Sequence, residues 1–215
     1  MKLSRASLTL GLLALAATAS PFAVAADSGW YGGINIGQSD AKIDDARITS
    51  NLLGAGFATA SINDDDRDTG FKIFAGYKLN RNFALEGGYF DLGRFSFTAT
   101  TVPAGTLSGN IKLQGFNIDT VGILPITEKF SAFGRAGLNF ADAKDTFSGS
   151  GAVTVLNRNP SKSDTNPKFG LGLQYDFNAS VGVRAEAERY RIKDAVGNKG
   201  DVDLMSLGLV YRFGR

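Results

Sequence analysis

Apolar and polar residues alternate along most of the chain. Between residues 168 and 177, Phe169, Leu171 and Leu173 fall on one face of an extended chain, and glycines and polar residues fall on the other. Successive side chains of a β-strand point to opposite faces, so this period of two predicts a strand with one apolar side. The same alternation recurs from 202 to 213.

Eight segments of this kind can be counted, and most are close to the 9–11 residues that a tilted strand needs to cross a bilayer. The predicted strands are 30–39, 69–79, 83–92, 111–124, 130–142, 168–177, 180–192 and 202–213. Short connections (80–82, 125–129, 178–179) alternate with long ones (41–68, 93–110, 143–167, 193–201). This asymmetry is typical of outer-membrane barrels. The sequence therefore predicts an all-β protein, an eight-stranded antiparallel up-and-down transmembrane β-barrel.

Aromatic residues cluster at the strand ends that meet the short connections. They are Trp30, Tyr77, Phe83, Phe130, Tyr175, Phe177, Tyr211 and Phe213. A belt of rings at one level is what a membrane-interface girdle requires. A soluble barrel with its apolar face inward is the alternative, but it would explain neither this belt nor the unequal connections.

The first 26 residues have the features of a secretory signal peptide. A basic start with Lys2 and Arg5 precedes an apolar run from 8 to 19, which is too short to span a bilayer. A small-residue cleavage site follows, with cleavage expected after Ala25 or Ala26. We expect a removed signal peptide (1–26) and a mature barrel domain (27–215) that leaves the cytoplasm.

Composition excludes several chemistries. The sequence has 23 basic and 21 acidic residues, so removal of Lys2 and Arg5 leaves 21 of each and no net charge. A neutral chain lacks the basic footprint of a nucleic-acid-binding protein. With no histidine and no cysteine, a Ser-His-Asp triad, a thiol nucleophile and a His-ligated zinc are all excluded. We expect no catalytic residues, no cofactor and no metal.

The polar face of the predicted strands carries charges of both signs. A basic side chain that faces lipid at mid-membrane costs about 2–4 kcal/mol, so these residues are expected to face the lumen and pair there. The predicted lumenal residues are Asn35, Lys72, Glu86, Asn117, Asp119, Arg135, Asn139, Gln174, Arg184, Glu186, Glu188 and Arg212.

The chain resembles the OmpA-type outer-membrane β-barrel family. The resemblance is carried by Trp30-Tyr31, by Glu86-Gly87-Gly88-Tyr89 and by the end of the chain from Ser206 to Gly214. It covers the transmembrane barrel domain only, because the sequence stops where many members continue into a peptidoglycan-binding domain.

The resemblance implies a site inside the barrel. In the family, a lumenal carboxylate and arginines form a salt-bridge network that blocks or gates a narrow passage, and Glu86, Arg135 and Arg184 match those positions, with Glu186 as a further candidate. Two interpretations remain open: a static plug, which the small interior of eight strands favours, and a gate that opens when the pairs break.

We expect a non-catalytic outer-membrane protein with both termini in the periplasm, which contributes to envelope structure and acts as an adhesin or receptor through long extracellular loops. A narrow gated pore is the alternative, and a lipid-modifying enzyme is a weaker third. The expected partners are outer-membrane lipid and lipopolysaccharide, the barrel-assembly machinery and periplasmic chaperones during insertion, and a host-surface or phage ligand at the loops. No nucleic-acid partner is expected.

Overall fold

The computed structural model describes residues 28–193 and 199–214, so the predicted signal peptide lies outside the described residues. In these residues the chain forms nine strands and one helix. Their order is β1 (Gly29–Ala41), α1 (Asp45–Gly54), β2 (Ala58–Asp65), β3 (Arg67–Lys78), β4 (Phe83–Val102), β5 (Gly105–Pro125), β6 (Phe130–Gly151), β7 (Ser161–Asp176), β8 (Val181–Lys193) and β9 (Lys199–Arg212). Within them, no helix is long and apolar enough to span a membrane.

Eight of the strands close into an antiparallel ring, as the sequence predicts. β1 pairs with β3 on one side and with β9 on the other, so that Ile34 lies opposite both Ile73 and Leu209. From β3 to β8, each strand pairs with the next strand along the chain. A closed ring leaves no unpaired sheet edge, which a lipid environment requires. β2 lies outside the ring and pairs only with the far end of β4.

Four strands are longer than predicted. β4 continues to Val102, β5 begins at Gly105, β6 continues to Gly151 and β7 begins at Ser161. The predicted connections 93–110 and 143–167 therefore consist largely of paired strand. The first predicted connection, 41–68, likewise contains α1 and β2.

The extensions escaped prediction because the polarity of the two faces reverses along the strands. In the part of the ring near the short turns, apolar residues face outward and polar residues face inward. In the extension of β4 towards the long connections, Phe95 and Phe97 are buried inside while Thr98 faces out. A bulge between Asp91 and Gly93 also shifts the alternation of β4 by one residue. The reversal is expected where a strand leaves lipid and enters water, because the outer face must then be hydrated.

The outer surface of the ring is apolar where a membrane would surround it. Ile36, Ile118, Leu171 and Leu207 are each at least 60% exposed and point away from the lumen. A contiguous exposed apolar surface of this kind marks a membrane contact in a folded protein.

Aromatic rings border this surface at both ends. The eight rings predicted near the short turns lie there, and the Trp30 and Tyr77 centroids are 5.1 Å apart across the β1–β3 pair. At the other end the ring of Tyr89 packs against those of Phe71 and Phe116, with centroids 6.1 and 5.4 Å apart. The role of the predicted girdle at a membrane interface stays a prediction.

The three short turns share one hydrogen-bond design. In each turn a side-chain oxygen, from Asn80, Thr127 or Asn178, accepts hydrogen bonds from the backbone N–H groups two and three residues later. Asn, Asp, Ser and Thr form turns of this type through their short polar side chains. β1 begins and β9 ends at this rim, since Tyr31 lies opposite Arg212.

The apolar exterior predicts a position-dependent cost of charge. Leu171→Arg places a cation on the outward face of β7, midway along the ring, and is expected to lower the free energy of unfolding in lipid vesicles by about 2–4 kcal/mol. Leu156→Arg, in a connection where the side chain is 98% exposed, serves as the control and should change it by less than about 0.5 kcal/mol. Denaturant titrations followed by the fluorescence of the single tryptophan, Trp30, measure both. Equal effects of the two substitutions would contradict a lipid-facing surface.

Candidate functional site

A network of eight charged side chains fills the middle of the lumen. Within the described residues it joins four cations to four carboxylates, and the side chain of each member is at most 4% exposed. Its members are Lys72, Arg135, Lys168, Arg184, Glu86, Asp119, Glu186 and Glu188. Equal numbers of the two signs make the network neutral, so no uncompensated charge is buried. We call it the lumenal network.

Arg135, on β6, is the centre of the lumenal network. Its guanidinium contacts all four carboxylates, with nitrogen–oxygen distances of 3.0 Å to Glu86, 3.5 Å to Asp119, 2.7 Å to Glu186 and 3.3 Å to Glu188. A planar guanidinium with five donors can bridge several acids in this way, whereas a lysine ammonium has three. The strands β4, β5 and β8 are thereby joined to β6 across the lumen.

The two lysines hold the carboxylates on the side of the long connections. Lys168 lies 2.7 Å from both Asp119 and Glu188. Lys72 contacts Glu188 at 2.9 Å and also pairs with Glu186. Each lysine therefore connects two acids, and Glu188 is shared between both lysines and Arg135.

Glu86 is held from three directions. Its Oε1 accepts a hydrogen bond from the Tyr31 hydroxyl at 2.7 Å and another from Arg184 Nη1 at 2.8 Å. Its Oε2 lies 3.0 Å from Arg135. Arg184 in turn donates from Nε to Gln174 at 3.0 Å. Two hydrogen bonds to Oε1 and an ion pair at Oε2 together offset the cost of taking this carboxylate out of water.

Two apolar layers flank the lumenal network. Towards the short turns lies the inner apolar layer, a cluster that contains Phe74, Val121, Phe133 and Val210. Towards the long connections lies the larger outer apolar layer, which consists of Ala41, Phe90, Leu92, Phe95, Leu113, Ala141, Ala143, Tyr190, Ile192, Val202 and Leu204. An ion moving through the lumen would have to cross both layers as well as the charges.

Aromatic rings of these layers lie directly against the cations. The Arg184 guanidinium is 4.6 Å from the centroid of Phe133 and 4.9 Å from that of Phe74, and Lys168 is 4.9 Å from Tyr190. Attraction between a cation and a ring face is stronger in a desolvated site than at a wet surface. The aromatic side chains thus contribute to the electrostatics of the lumenal network as well as to packing.

Inward-facing glycines make room for the network. A Cβ atom at Gly76 would lie 2.7 Å from the Tyr31 hydroxyl, and one at Gly137 would lie 2.3 Å from an Asp119 carboxylate oxygen. Both distances are too short for a side chain. Part of the high glycine content therefore reflects large charged residues that share a narrow lumen.

All twelve residues predicted to face the lumen are buried. The four predicted gate residues, Glu86, Arg135, Arg184 and Glu186, are in mutual contact, although their gating role stays a prediction. The prediction did not include Lys168 or Tyr31 among the lumenal residues. The alternation contained a signal for both, because Lys168 shares a face with Gly170 and Gln174, and Tyr31 has the opposite parity to outward Trp30.

Below the inner apolar layer, the short-turn end opens into a polar vestibule of about 390 Å³. Lys78, Arg81, Lys129 and Arg212 line it, together with Glu128 and Asp176. Arg212 is paired with Asp176, which also accepts a hydrogen bond from Gln174 at 2.9 Å. The vestibule ends at Phe133 and Arg184, where the lumenal network begins.

Burial predicts that removing one member of the lumenal network costs far more than removing one member of an exposed ion pair. Glu86→Ala leaves Arg135 and Arg184 short of one carboxylate, and we expect the free energy of unfolding to fall by about 3–5 kcal/mol. The matched control is Asp40→Ala, which breaks a 3.1 Å pair with Arg67 whose side chains are 43% and 62% exposed, and should cost about 0–1 kcal/mol. Denaturant unfolding in vesicles compares the two variants. Similar small losses would show that the network adds little.

Three comparisons place the chain among known proteins. Residues 25–215 match the family described as the OmpA-like transmembrane domain, in agreement with the resemblance found in the sequence. Outer membrane protein A of Klebsiella pneumoniae is 27% identical over an alignment 194 residues long, which covers 88% of this chain and 52% of that protein. Outer membrane protein A of Salmonella typhi is 28% identical over an alignment 218 residues long, which covers 94% of this chain and 55% of that protein.

The chain thus spans about half the length of these relatives. Among solved structures, Neisserial surface protein A shares the fold, with a TM-score of 0.58 at 14% identity over 86% of this chain and 99% of that one. The closed ring, its apolar exterior and its charged lumen agree with a family match that extends over most of the sequence. The chain belongs to the OmpA-like transmembrane domain family.

Proposed function

We propose that the protein is a closed outer-membrane barrel that acts through its outer rim and not through its lumen. The observation that carries the proposal is the neutral lumenal network, which fills the lumen between two apolar layers. Eight strands leave an interior just wide enough for side chains, and here those side chains occupy it. The barrel then supports the envelope, and contacts outside the cell are made by the long hairpins.

The proposal includes the route and orientation of the chain. Residues 1–26 act as a signal peptide. The rim that carries the short turns and both termini of the barrel domain faces the periplasm. The four long connections then lie outside the cell, next to lipopolysaccharide. Insertion uses periplasmic chaperones and the barrel-assembly machinery. The names of the relatives, which are outer membrane proteins, support this location.

A non-catalytic role fits the chemistry of the site. Every carboxylate of the lumenal network is engaged with at least one cation, so none is poised as a general acid or base with a free partner. The sequence also lacks histidine and cysteine. We therefore propose a structural and surface-binding protein, an adhesin or a receptor for phage or host molecules.

A narrow gated pore is the second candidate. It is favoured by Arg135, which contacts four carboxylates and could release one while it keeps the others. The vestibule that leads up to Arg184 would be the inner mouth of such a passage.

Conductance separates the two candidates. The refolded mature chain is first verified by heat-modifiable gel migration and then added to a planar lipid bilayer. A closed barrel predicts no discrete current steps. Glu128→Ala, which removes a carboxylate from the vestibule but none from the lumenal network, is the control for Glu86→Ala. Steps in the native chain that grow with Glu86→Ala and not with Glu128→Ala would overturn the closed barrel in favour of the gated pore.

The outer-rim role predicts that function and folding can be separated. Replacing residues 96–109 by a two-residue turn removes the outer part of the β4–β5 hairpin and leaves the ring pairs below it intact. We expect adherence of displaying cells to epithelial layers, or phage adsorption, to fall several-fold, while heat-modifiable migration persists. Unchanged binding by variants trimmed in this way at all the long connections would contradict the proposal.

A further inference from the structure

The loop half of the barrel encloses a cavity of about 380 Å³ that is separate from the lumenal network. Its walls are mostly apolar and include Leu52, Phe57, Leu107, Ile111 and Val153. Its volume falls within the range of small-molecule sites, about 300–1,000 Å³.

The floor of the cavity is closed. Phe95 and Leu113, which are 1% and 4% exposed, line it from below and belong to the outer apolar layer of the lumen. Ile192 and Val202 complete this floor from β8 and β9. A molecule in the cavity therefore meets hydrocarbon and does not reach the charges beneath it.

The walls follow from the reversed polarity of the extended strands. Because the outer faces of β4, β5 and β6 are hydrated beyond the membrane, their apolar residues turn inward. Phe97, Leu107 and Phe147 come from these three strands and all face the cavity. The extensions and β2 thus form a curved, open sheet on top of the membrane barrel, and its inner face is apolar. Apolar ligands are held inside β-structures that are lined in this way.

The roof is the helix α1, with the segment that precedes it. Asp44 caps the helix by accepting a hydrogen bond from the backbone N–H of Arg47 at 3.0 Å. Leu52 is 5% exposed and lines the cavity, whereas its neighbour Leu53 is 59% exposed. A helix of ten residues is marginal by itself in water, so packing of Leu52 on the cavity holds it in place. Asn51 and Ala55, also at the lining, are exposed, which leaves the cavity accessible beside the helix.

The charges at the cavity indicate what kind of molecule would fit. The charged lining residues are two cations, Lys42 and Arg47, and two anions, Asp44 and Asp201. They provide no excess of either sign to select a charged ligand. Water is a poor occupant, because an apolar wall offers it too few hydrogen-bond partners.

We propose that this cavity is a binding site for an uncharged, hydrocarbon-rich small molecule, such as an alkane, a long-chain alcohol or an alkyl ester. This inference goes beyond the outer-rim role and is independent of it, since it requires neither conduction nor contact with another cell. A protein segment or a second copy of the chain is a poor fit, because the cavity lies inside the strand walls and under α1.

Methyl NMR tests the proposal with an internal control. The full mature chain is placed in lipid nanodiscs with labelled leucine and valine methyl groups and titrated with 1-decanol. We expect saturable shifts at Leu52, Leu107 and Val153. Outward Leu171 and Leu207 report simple partition into the lipid and should shift without saturation. Shifts that appear only at the outward methyl groups would overturn the site.

A matched pair of variants locates the site. Leu107→Trp fills the cavity and should weaken 1-decanol binding at least tenfold, whereas Leu53→Trp on the exposed face of α1 should leave it unchanged. If gel migration shows that Leu107→Trp does not fold, Leu52→Ala is compared with Leu53→Ala. Of these two leucines, only Leu52 lines the cavity. Equal affinity in both members of a pair would place binding elsewhere.

The head group of the probe tests the chemical class. Decanoate and decyltrimethylammonium have similar chains but carry a charge, and both should bind at least tenfold more weakly than 1-decanol. Stronger binding of either ion than of the alcohol would overturn the assignment to an uncharged ligand.

Discussion

Backbone hydrogen bonding in lipid is the constraint from which the rest of the structure follows. A strand in a bilayer can satisfy its N–H and C=O groups only on both neighbouring strands, so the sheet must close on itself. The closure of β1 onto β9 meets this requirement. Once the sheet is closed, the alternation of side chains sends half of each strand into a narrow interior. The lumen is therefore a consequence of closure, and its contents are whatever the inward positions carry.

Those inward positions here carry charge in balance. Placing Arg135 among four carboxylates exchanges the hydration of each group for contacts fixed by the strands. Buried ion pairs often gain little over apolar residues of the same size, but loss of one member is expensive. The network thus specifies one arrangement of the strands more strongly than it stabilises the barrel. A shifted register would move Glu86 or Arg135 to the lipid face, where neither has a partner.

Much of this could be predicted from the alternation alone. The eight strands of the ring, its closure, the aromatic rows and the burial of Glu86, Arg135, Arg184 and Glu186 all depend on a local period of two. What failed depends on information that is not local. The extensions of β4, β5 and β6 keep the period but exchange the polarity of their faces, and the bulge at Gly93 shifts the parity within β4. Which carboxylate meets which cation depends on strand tilt, and the cavity depends on how α1 returns over the hairpins.

The shared design of the three short turns has a consequence for the whole molecule. Asn80, Thr127 and Asn178 each fix the start of a hairpin by bonds that lie within four residues of sequence. The pairing of the strands on either side is therefore set from one rim, by local chemistry that does not involve the opposite rim. The strand pairing is thus fixed at the short-turn rim, and the long connections at the opposite rim can vary without disturbing it. Sequence change in the long hairpins is thereby separated from the folding of the ring.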